Sequence, residues 1–376
     1  MNLLVVSHPC VTPVNQAFYA GVERQTGWDL TLVGPASWEG EYGTRTLERW
    51  PAFEGDLRPI PVWFSGNVPL HVYRSWFIPL LREVAPDAIF LHHEPYAAAT
   101  AQVFLANRLS VQCPIGFFTW QNIEKTYPPP FRQLERMVYR QADYAVSGSE
   151  SARAVLRRKG YAGPASLIPA GINPERYSQT EPMPDAAPLD APEDSVLIGF
   201  VGRIVKEKGL GTFLDALAQI RPLPWHFVLI GEGDFTDVLQ QRAERLGLRD
   251  RLTVLGYVDH AEIPRYLAVL DLVVLPSETQ SNWKEQFGRI LIESMAAGTP
   301  VLGSDSGEIP HLIERTGGGR SFDEGDPDAC AAVLAELIRD ERLRDRLGLQ
   351  GRNAVLDHYT HETLARSFIE TIEDAR

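Results

Sequence analysis

Cysteine, lysine and long apolar runs are all scarce in this chain of 376 residues. Three cysteines (Cys10, Cys113, Cys330) are odd in number, far apart and match no metal-ligand spacing. They exclude a disulfide-stapled scaffold, and reduced thiols in a cytoplasmic protein are the expectation. The apolar run Leu3–Val6 follows no basic segment, and Leu267–Pro276 is interrupted by Asp271. Both fall far below the ~20 residues that span a bilayer, so neither a signal peptide nor a membrane anchor is expected. Positive charge is also in deficit, with 36 Lys+Arg against 49 Asp+Glu. A net charge of −13 excludes a nucleic-acid surface as the main business.

What is present is ordinary globular material: 44% hydrophobic and 23% charged residues, enough for two sizeable cores. At about 150 residues per domain the length predicts two to three domains. Residues 1–180 hold 16 basic and 15 acidic side chains, and residues 181–376 hold the other 20 and 34. A near-neutral half is thus joined to an acidic one. Apolar, β-rich runs alternate with helical patterns throughout, from Leu3–Ser7, Leu30–Val33, Ala88–His92, Ile115–Thr119 and Tyr144–Ser147 to Val196–Val201, His226–Ile230, Leu252–Leu255, Leu272–Leu275 and Pro300–Gly303. Helices are predicted between them, including Val72–Val84, Phe131–Ala142, Leu210–Ile220 and Phe287–Ala297. This alternation predicts α/β architecture with parallel, doubly wound sheets. Prolines 169, 174, 182, 184, 188 and 192 mark a break. The expected layout is an N-terminal domain over 1–178, a linker over 179–194, a second domain over 195–358 and a terminal helix over 359–376 that returns to the first domain. Two such domains facing each other would form one cleft lined by residues that follow strands.

The second half carries the denser chemistry. After Val196–Val201 comes Gly202-Arg203-Ile204-Val205-Lys206-Glu207-Lys208-Gly209, which offers close backbone approach and cations where a diphosphate would need them. A solvated basic loop explains that segment about as well. After Leu272–Leu275, the run Lys284-Glu285-Gln286-Phe287-Gly288-Arg289-Ile290-Leu291-Ile292-Glu293 predicts a helix from about Gln286. On that helix Glu285 and Glu293 would lie roughly 12 Å apart along the axis and about 80° around it. Each could bind a pair of sugar hydroxyls, with the helix N-terminus facing a diphosphate between them.

Taken together, the Arg203–Lys208 loop, Gly231-Glu232-Gly233, Leu275-Pro276-Ser277, the Glu285–Glu293 run, the stretch Ala296–Val301 and Gly307-Glu308-Ile309-Pro310 resemble retaining glycosyltransferases of family 4, which have the GT-B fold. The resemblance spans about residues 196–315. It implies that Glu285 contacts the donor sugar and Glu293 the ribose, while Arg203 and Lys208 neutralise the departing diphosphate. It further implies that Gly202, Gly231, Gln286, Phe287 and Gly288 approach the donor, and that Tyr257 and Val258 border the nucleobase. No metal or other cofactor is expected; the nucleotide-diphosphate sugar is a co-substrate.

The first half departs from the family. The loop after its first strand, His8–Gln16, contains Asn15 but no glycine pair, and Trp120-Gln121-Asn122 stands where family members carry a His. His92, His93 and Glu94 follow a strand and are candidates for binding the acceptor or moving its proton, with His92 put forward as catalytic. A metal is disfavoured there, because adjacent side chains of a strand point to opposite faces. Arg132, Arg136 and Arg140 form one helical stripe and Arg157-Arg158-Lys159 a second basic cluster. A solvated helix face accounts for them; contact with an anionic membrane surface, and with it a lipid-linked acceptor, stays open. The expected activity is metal-independent, retaining hexosyl transfer to a hydroxyl acceptor, in the cytoplasm or at the inner face of the membrane. A catalytically idle nucleotide-sugar-binding protein and, further back, a sugar-nucleotide epimerase are the alternatives. A nicotinamide enzyme would need a third glycine that Gly209-Leu210-Gly211-Thr212-Phe213-Leu214 lacks.

Overall fold

The structure is a computed structural model that describes residues 1–40, 43–178, 189 and 191–376. The chain divides into two compact units, residues 1–171 with 361–376, and residues 172–360. The linker expected over 179–194 lies mostly outside the described residues. Residues 172–178 cluster with the second unit, because Ile172 bridges Thr360 and Arg176 reaches the His260 carbonyl.

The first unit is built on a seven-stranded parallel sheet. In chain order its strands are β1 (Asn2–Ser7), β2 (Asp29–Pro35), β3 (Asp56–Ile60), β4 (Ala88–His92), β5 (Ile115–Thr119), β6 (Tyr144–Ser147) and β7 (Ala165–Leu167). Their spatial order is β7-β6-β5-β4-β1-β2-β3. Both faces of a parallel sheet are covered, so its strands are continuous apolar runs rather than alternating ones. Leu3 and Val5 point to one face, where the helices Ala17–Thr26 and His361–Asp374 add Tyr19, Val22, Phe368 and Ile372. Leu4 and Val6 point to the other, against Phe77, Leu81, Val103 and Phe104. This is the period-2 alternation of any strand.

The second unit has six parallel strands: β8 (Val196–Val201), β9 (Trp225–Ile230), β10 (Leu252–Gly256), β11 (Leu272–Leu275), β12 (Val301–Ser304) and β13 (Gly319–Phe322). Their order, β10-β9-β8-β11-β12-β13, is the doubly wound order of a nucleotide-binding sheet. In both units, therefore, the winding direction reverses between the unit's first strand and its fourth.

Two expected elements differ. The helix predicted over Val72–Val84 covers only Phe77–Val84, and Val72–Tyr73 pairs instead with Val62–Trp63 in a short antiparallel ribbon. Pro79 is the reason, since it is tolerated only within a helix's first turn, which fixes the start at Phe77. Helix Arg289–Ala297 begins three residues later than Gln286, because Gly288 holds a left-handed φ of 78° at its N-cap. Edge strands β3 and β13 are new. Pro59 in β3 and the glycines before β13 hide them from a propensity reading, yet both are tolerated at a sheet edge.

Candidate active site

Ligands of open α/β sheets sit beyond the carboxyl ends of the strands where the winding reverses. In the second unit that place is flanked by the loop after β8 and the loop after β11. Gly202 and Arg203 open the first loop, which closes in a turn over Lys206–Lys208 and passes through Gly209 (φ 67°) into the helix Leu210–Gln219. A Cβ on Gly209 would lie 1.8 Å from the Pro276 carbonyl oxygen, so only glycine lets the two loops touch. That contact presents Lys208 to Glu285.

Lys208 Nζ donates to Glu285 Oε2 at 2.6 Å, and Ser277 Oγ donates to the same oxygen at 3.0 Å. The ammonium also lies 5.0 Å from the centre of the Trp283 ring. Glu285 is thus a nearly buried carboxylate in the loop before the helix, not at the helix mouth as expected, and the 80° helical offset from Glu293 does not apply. The Gly307-Glu308 segment clamps it from behind: Glu308 N–H donates to the Glu285 carbonyl at 3.3 Å. Gln286 is exposed, whereas Phe287 is buried with its ring 6.3 Å from Tyr359.

Glu293 lies inside the helix Arg289–Ala297 and is 4% exposed. Arg289 Nε approaches its Oε1 to 2.8 Å as an ion pair, but that buried oxygen accepts no aligned hydrogen bond. Burial raises the Glu293 pKa, against the lowering fields of Arg289 and Arg176. His260 Nε2 stands 3.9 Å from the same oxygen, and burial with the two arginines lowers its pKa to about 4. Gly231 follows β9, its N–H donating to the Gly256 carbonyl at 2.8 Å. Beside it Tyr257 leaves the end of β10 and is 68% exposed, next to the half-buried Val258. The strand ends therefore gather a cation, two buried carboxylates, a helix N-terminus and an exposed aromatic ring.

The first unit's strand ends carry the acceptor-side candidates. His92 ends β4 on the side of the Tyr19–Phe118 cluster. Its Nδ1 is 2.9 Å from Tyr19 Oη, and burial lowers its pKa to about 4. That imidazole is neutral at neutral pH and a weak base. His93 turns to the opposite face, 1% exposed, with its Nε2 accepting the His8 N–H at 2.9 Å. Glu94 is locked rather than free: Thr119 Oγ1 donates to Oε2 at 2.7 Å and the Trp120 N–H to Oε1 at 2.8 Å. Burial pushes its pKa up to about 7.

Trp120 packs on Phe118, and a Cβ on Gly148 would strike its ring at 2.3 Å, so the indole rests on that glycine. Gln121 joins Tyr127 Oη and Lys159, while Asn122 is 4% exposed. Asn15 Nδ2 donates to the Pro9 carbonyl at 2.7 Å and helps fold its own loop. The expected Arg157-Arg158-Lys159 cluster is not a free basic patch. Lys159 is nearly buried against Glu135, Arg158 pairs with Glu124, and Arg157 binds the carbonyls of Tyr161 and Gly163. Arg132, Arg136 and Arg140 remain an exposed stripe.

Residues 184–354 match the glycosyl transferases group 1 family, and residues 24–176 match glycosyltransferase family 4. The chain belongs to glycosyltransferase family 4. Among relatives of this glycosyltransferase, the lipopolysaccharide core biosynthesis glycosyltransferase LpsE of Rhizobium meliloti is 30% identical over 189 residues. That match covers 50% of this chain and only about half of LpsE, 53%. The α-D-kanosaminyltransferase of Streptomyces kanamyceticus is 28% identical over 78% of both chains. The sucrose-phosphate synthase of Thermosynechococcus elongatus superposes with a TM-score of 0.75 at 20% identity, over all of this chain and 98% of the other. HepE of Anabaena, solved with UDP, gives 0.75 at 17% over the full length of both. These likenesses show the GT-B fold, with two Rossmann-like units.

The second unit also gathers, around Lys208, Glu285 and Glu293, residues that the motifs do not announce. Trp283 and Ser277 position Lys208 and Glu285, and Arg289, Arg176 and Tyr177 surround Glu293. Arg289, four residues ahead of Glu293 on one helix, was recoverable from i,i+4 spacing. Trp283 was not, since only the fold brings it to Lys208.

Proposed function

We propose that this glycosyltransferase moves a sugar from a nucleotide diphosphate donor to a hydroxyl acceptor with retention of configuration, the donor diphosphate being met without a divalent metal. The observation that carries the reading is Glu293, a buried carboxylate whose Oε1 is ion-paired with Arg289 yet accepts no aligned hydrogen bond, in the same unit that exposes Tyr257. Such an acceptor suits ribose hydroxyls, and the ring suits a base. Arg203, Lys208 and the N-terminus of the Arg289–Ala297 helix supply positive potential for the leaving diphosphate. Glu285, held by Lys208 and Ser277, would take hydroxyls of the transferred sugar. HepE complexes with UDP and with UDP-glucose support a uridine donor among those to be tried.

A thermal-shift screen against UDP, GDP and ADP tests the donor site, because a ligand at 100 times its dissociation constant adds about 2.7 kcal/mol. One nucleotide should raise Tm, and Glu293→Ala should abolish the shift. No shift with any nucleotide on folded protein would remove the donor reading. Proton NMR of the first product, read at the anomeric position, tests retention. The competing reading, an idle sugar-nucleotide-binding protein, draws on the glycine-free His8–Gln16 loop, which Gln16 ties to the Cys10 and Glu48 carbonyls. Slow donor hydrolysis without acceptor would exclude it.

For the acceptor we propose a saccharide or lipid-linked glycan met at an anionic membrane surface. Among the described residues no helix is long and apolar enough to cross a membrane. Contact is assigned instead to a face of the first unit where Trp63, Trp76, Leu105 and Leu109 line an open groove of about 370 Å³. Trp76 is 83% exposed, and Phe64 and Leu70 are exposed nearby in sequence. Residues 57–82 and 95–123 contain no Asp or Glu, while Arg74, Arg82 and Arg108 are basic, in a protein of net charge −13; Arg58 is taken up by Asp56 and Glu83. Exposed indoles with an excess of cations suit the headgroup region of anionic lipid. Co-sedimentation with vesicles containing phosphatidylglycerol should be lost in Trp63→Ser/Trp76→Ser and weakened by salt. Equal binding to neutral vesicles, or none to either, would overturn the assignment.

A further inference from the structure

The winding of the first unit reverses between β1 and β4, the place where an α/β sheet takes its ligand. His8 and His93 follow those two strands directly, and His71 comes to them from the turn Asn67–His71. Ring centroids lie 4.9 Å apart for His8–His93, 5.1 Å for His71–His93 and 5.4 Å for His8–His71. One ligating atom from each lies within 4.8 Å of the others. His71 and His93 are almost fully buried, and Trp38 packs over His8 and His71. His8 Nδ1, His71 Nε2 and His93 Nδ1 are buried and have no hydrogen-bond partner. Three orphaned imidazole nitrogens in one dry spot call for an occupant.

We propose that His8, His71 and His93 form a binding site for a divalent transition metal of the zinc class. His71 already has the orientation of a metal ligand. Its Nδ1 is 2.8 Å from the Val68 carbonyl, which can only accept, so Nδ1 carries the proton and Nε2 presents its lone pair. Burial lowers the pKa of all three rings, which keeps them in the neutral form a metal binds. Three imidazoles without a thiolate suit zinc or a neighbouring divalent ion. Cys10 is no competitor as a ligand, since its thiol faces the Asn15 carbonyl at 3.8 Å within the cluster of Leu3, Val5 and Tyr19.

A tetrahedral ion about 2.0–2.1 Å from each nitrogen needs roughly 3.4 Å between nitrogens. The rings therefore close inward by less than about 1 Å each, within reach of χ adjustments. His93 binding through Nδ1 moves its ring proton to Nε2, where Tyr73 Oη at 3.4 Å can accept it, and the His8 amide gives up its contact with that nitrogen. The fourth position is left to water or a substrate oxygen. The site lies within the first unit and does not rest on the glycosyltransferase reading.

The test uses the full-length protein stripped with a chelator and titrated with Zn2+ and Co2+. One equivalent per chain should bind, Tm should rise with Zn2+, and Co2+ should give the intense visible bands of tetrahedral coordination. His71→Phe should lose those bands and weaken binding at least about tenfold. His8→Gln is the second variant, since its half-exposed position spares the fold. Far-UV circular dichroism and a cooperative urea melt of both variants without metal, read separately, confirm folding. Cobalt that keeps its octahedral solution spectrum, or affinity unchanged in both variants, would overturn the proposal and leave the trio to a buried water.

Discussion

Lys208 meets Glu285 in the protein without ligand, so the ammonium assigned to a leaving diphosphate already neutralises a nearly buried carboxylate. Lys208→Met should then do two things at once. The nearly buried Glu285 carboxylate loses its ammonium partner while Ser277 still donates to it, and stability should fall by about 1–3 kcal/mol. If Lys208 also faces the diphosphate, kcat should fall roughly 10²–10³-fold, as for loss of one preorganised electrostatic group. Urea melts and single-turnover rates separate the effects, and a variant that loses stability but keeps its rate would confine Lys208 to holding Glu285. Glu94 gives a pH signature. Its pKa is raised from 4.5 to about 7, so the folded state holds this proton more tightly than the unfolded chain. Its contribution is fully present below pH 4.5 and is lost as pH rises to about 7, a fall of roughly 3 kcal/mol. Glu94→Gln should flatten the decline between pH 5 and pH 8 in urea melts. Glu23 and Glu293, also raised, add a slope of the same sign, whereas His8, His71, His92, His93 and His260, all lowered, add one of opposite sign below pH 6.5, so the readout is the difference between variant and parent.

Among elements, the loops rather than the helices carry the exacting geometry. Gly307 holds a φ of 62°, and a Cβ there would lie 1.9 Å from the Glu285 carbonyl oxygen. Gly307→Ala should displace Glu285 without touching any ligand, raising the donor KM and lowering Tm, while Gly298→Ala, which meets nothing within 4 Å, should change Tm alone. How much was legible in sequence follows the same division. Buried strands such as Val196–Val201 and Leu272–Leu275 were readable to the residue, because an apolar run between turn residues has few other readings. The family was readable from its motif, yet the helix carrying Glu293 starts three residues later than expected, since Gly288 caps it and leaves Glu285 in the preceding loop. The histidine trio was invisible. Residues 8, 71 and 93 share no spacing rule, and weighing His92 with His93 tested the one pair that strand alternation keeps apart.

At the scale of the whole molecule, the first unit is closed by residues from the far end of the chain. Phe368 and Ile372 of the helix His361–Asp374 complete the face formed by Leu3, Val5 and Phe90. Truncation after Thr360 should expose that face, giving a protein that binds a hydrophobic dye and resists refolding, while the unit of residues 172–360 keeps its nucleotide-induced stabilisation. On the ribosome the same feature inverts the order of assembly. The first unit's β-sheet has to wait, one face covered only by the helix Ala17–Thr26, through the synthesis of the entire second unit, and only the segment made after that unit can complete it. A chaperone that binds apolar surface would find its longest opportunity on this earlier-made sheet.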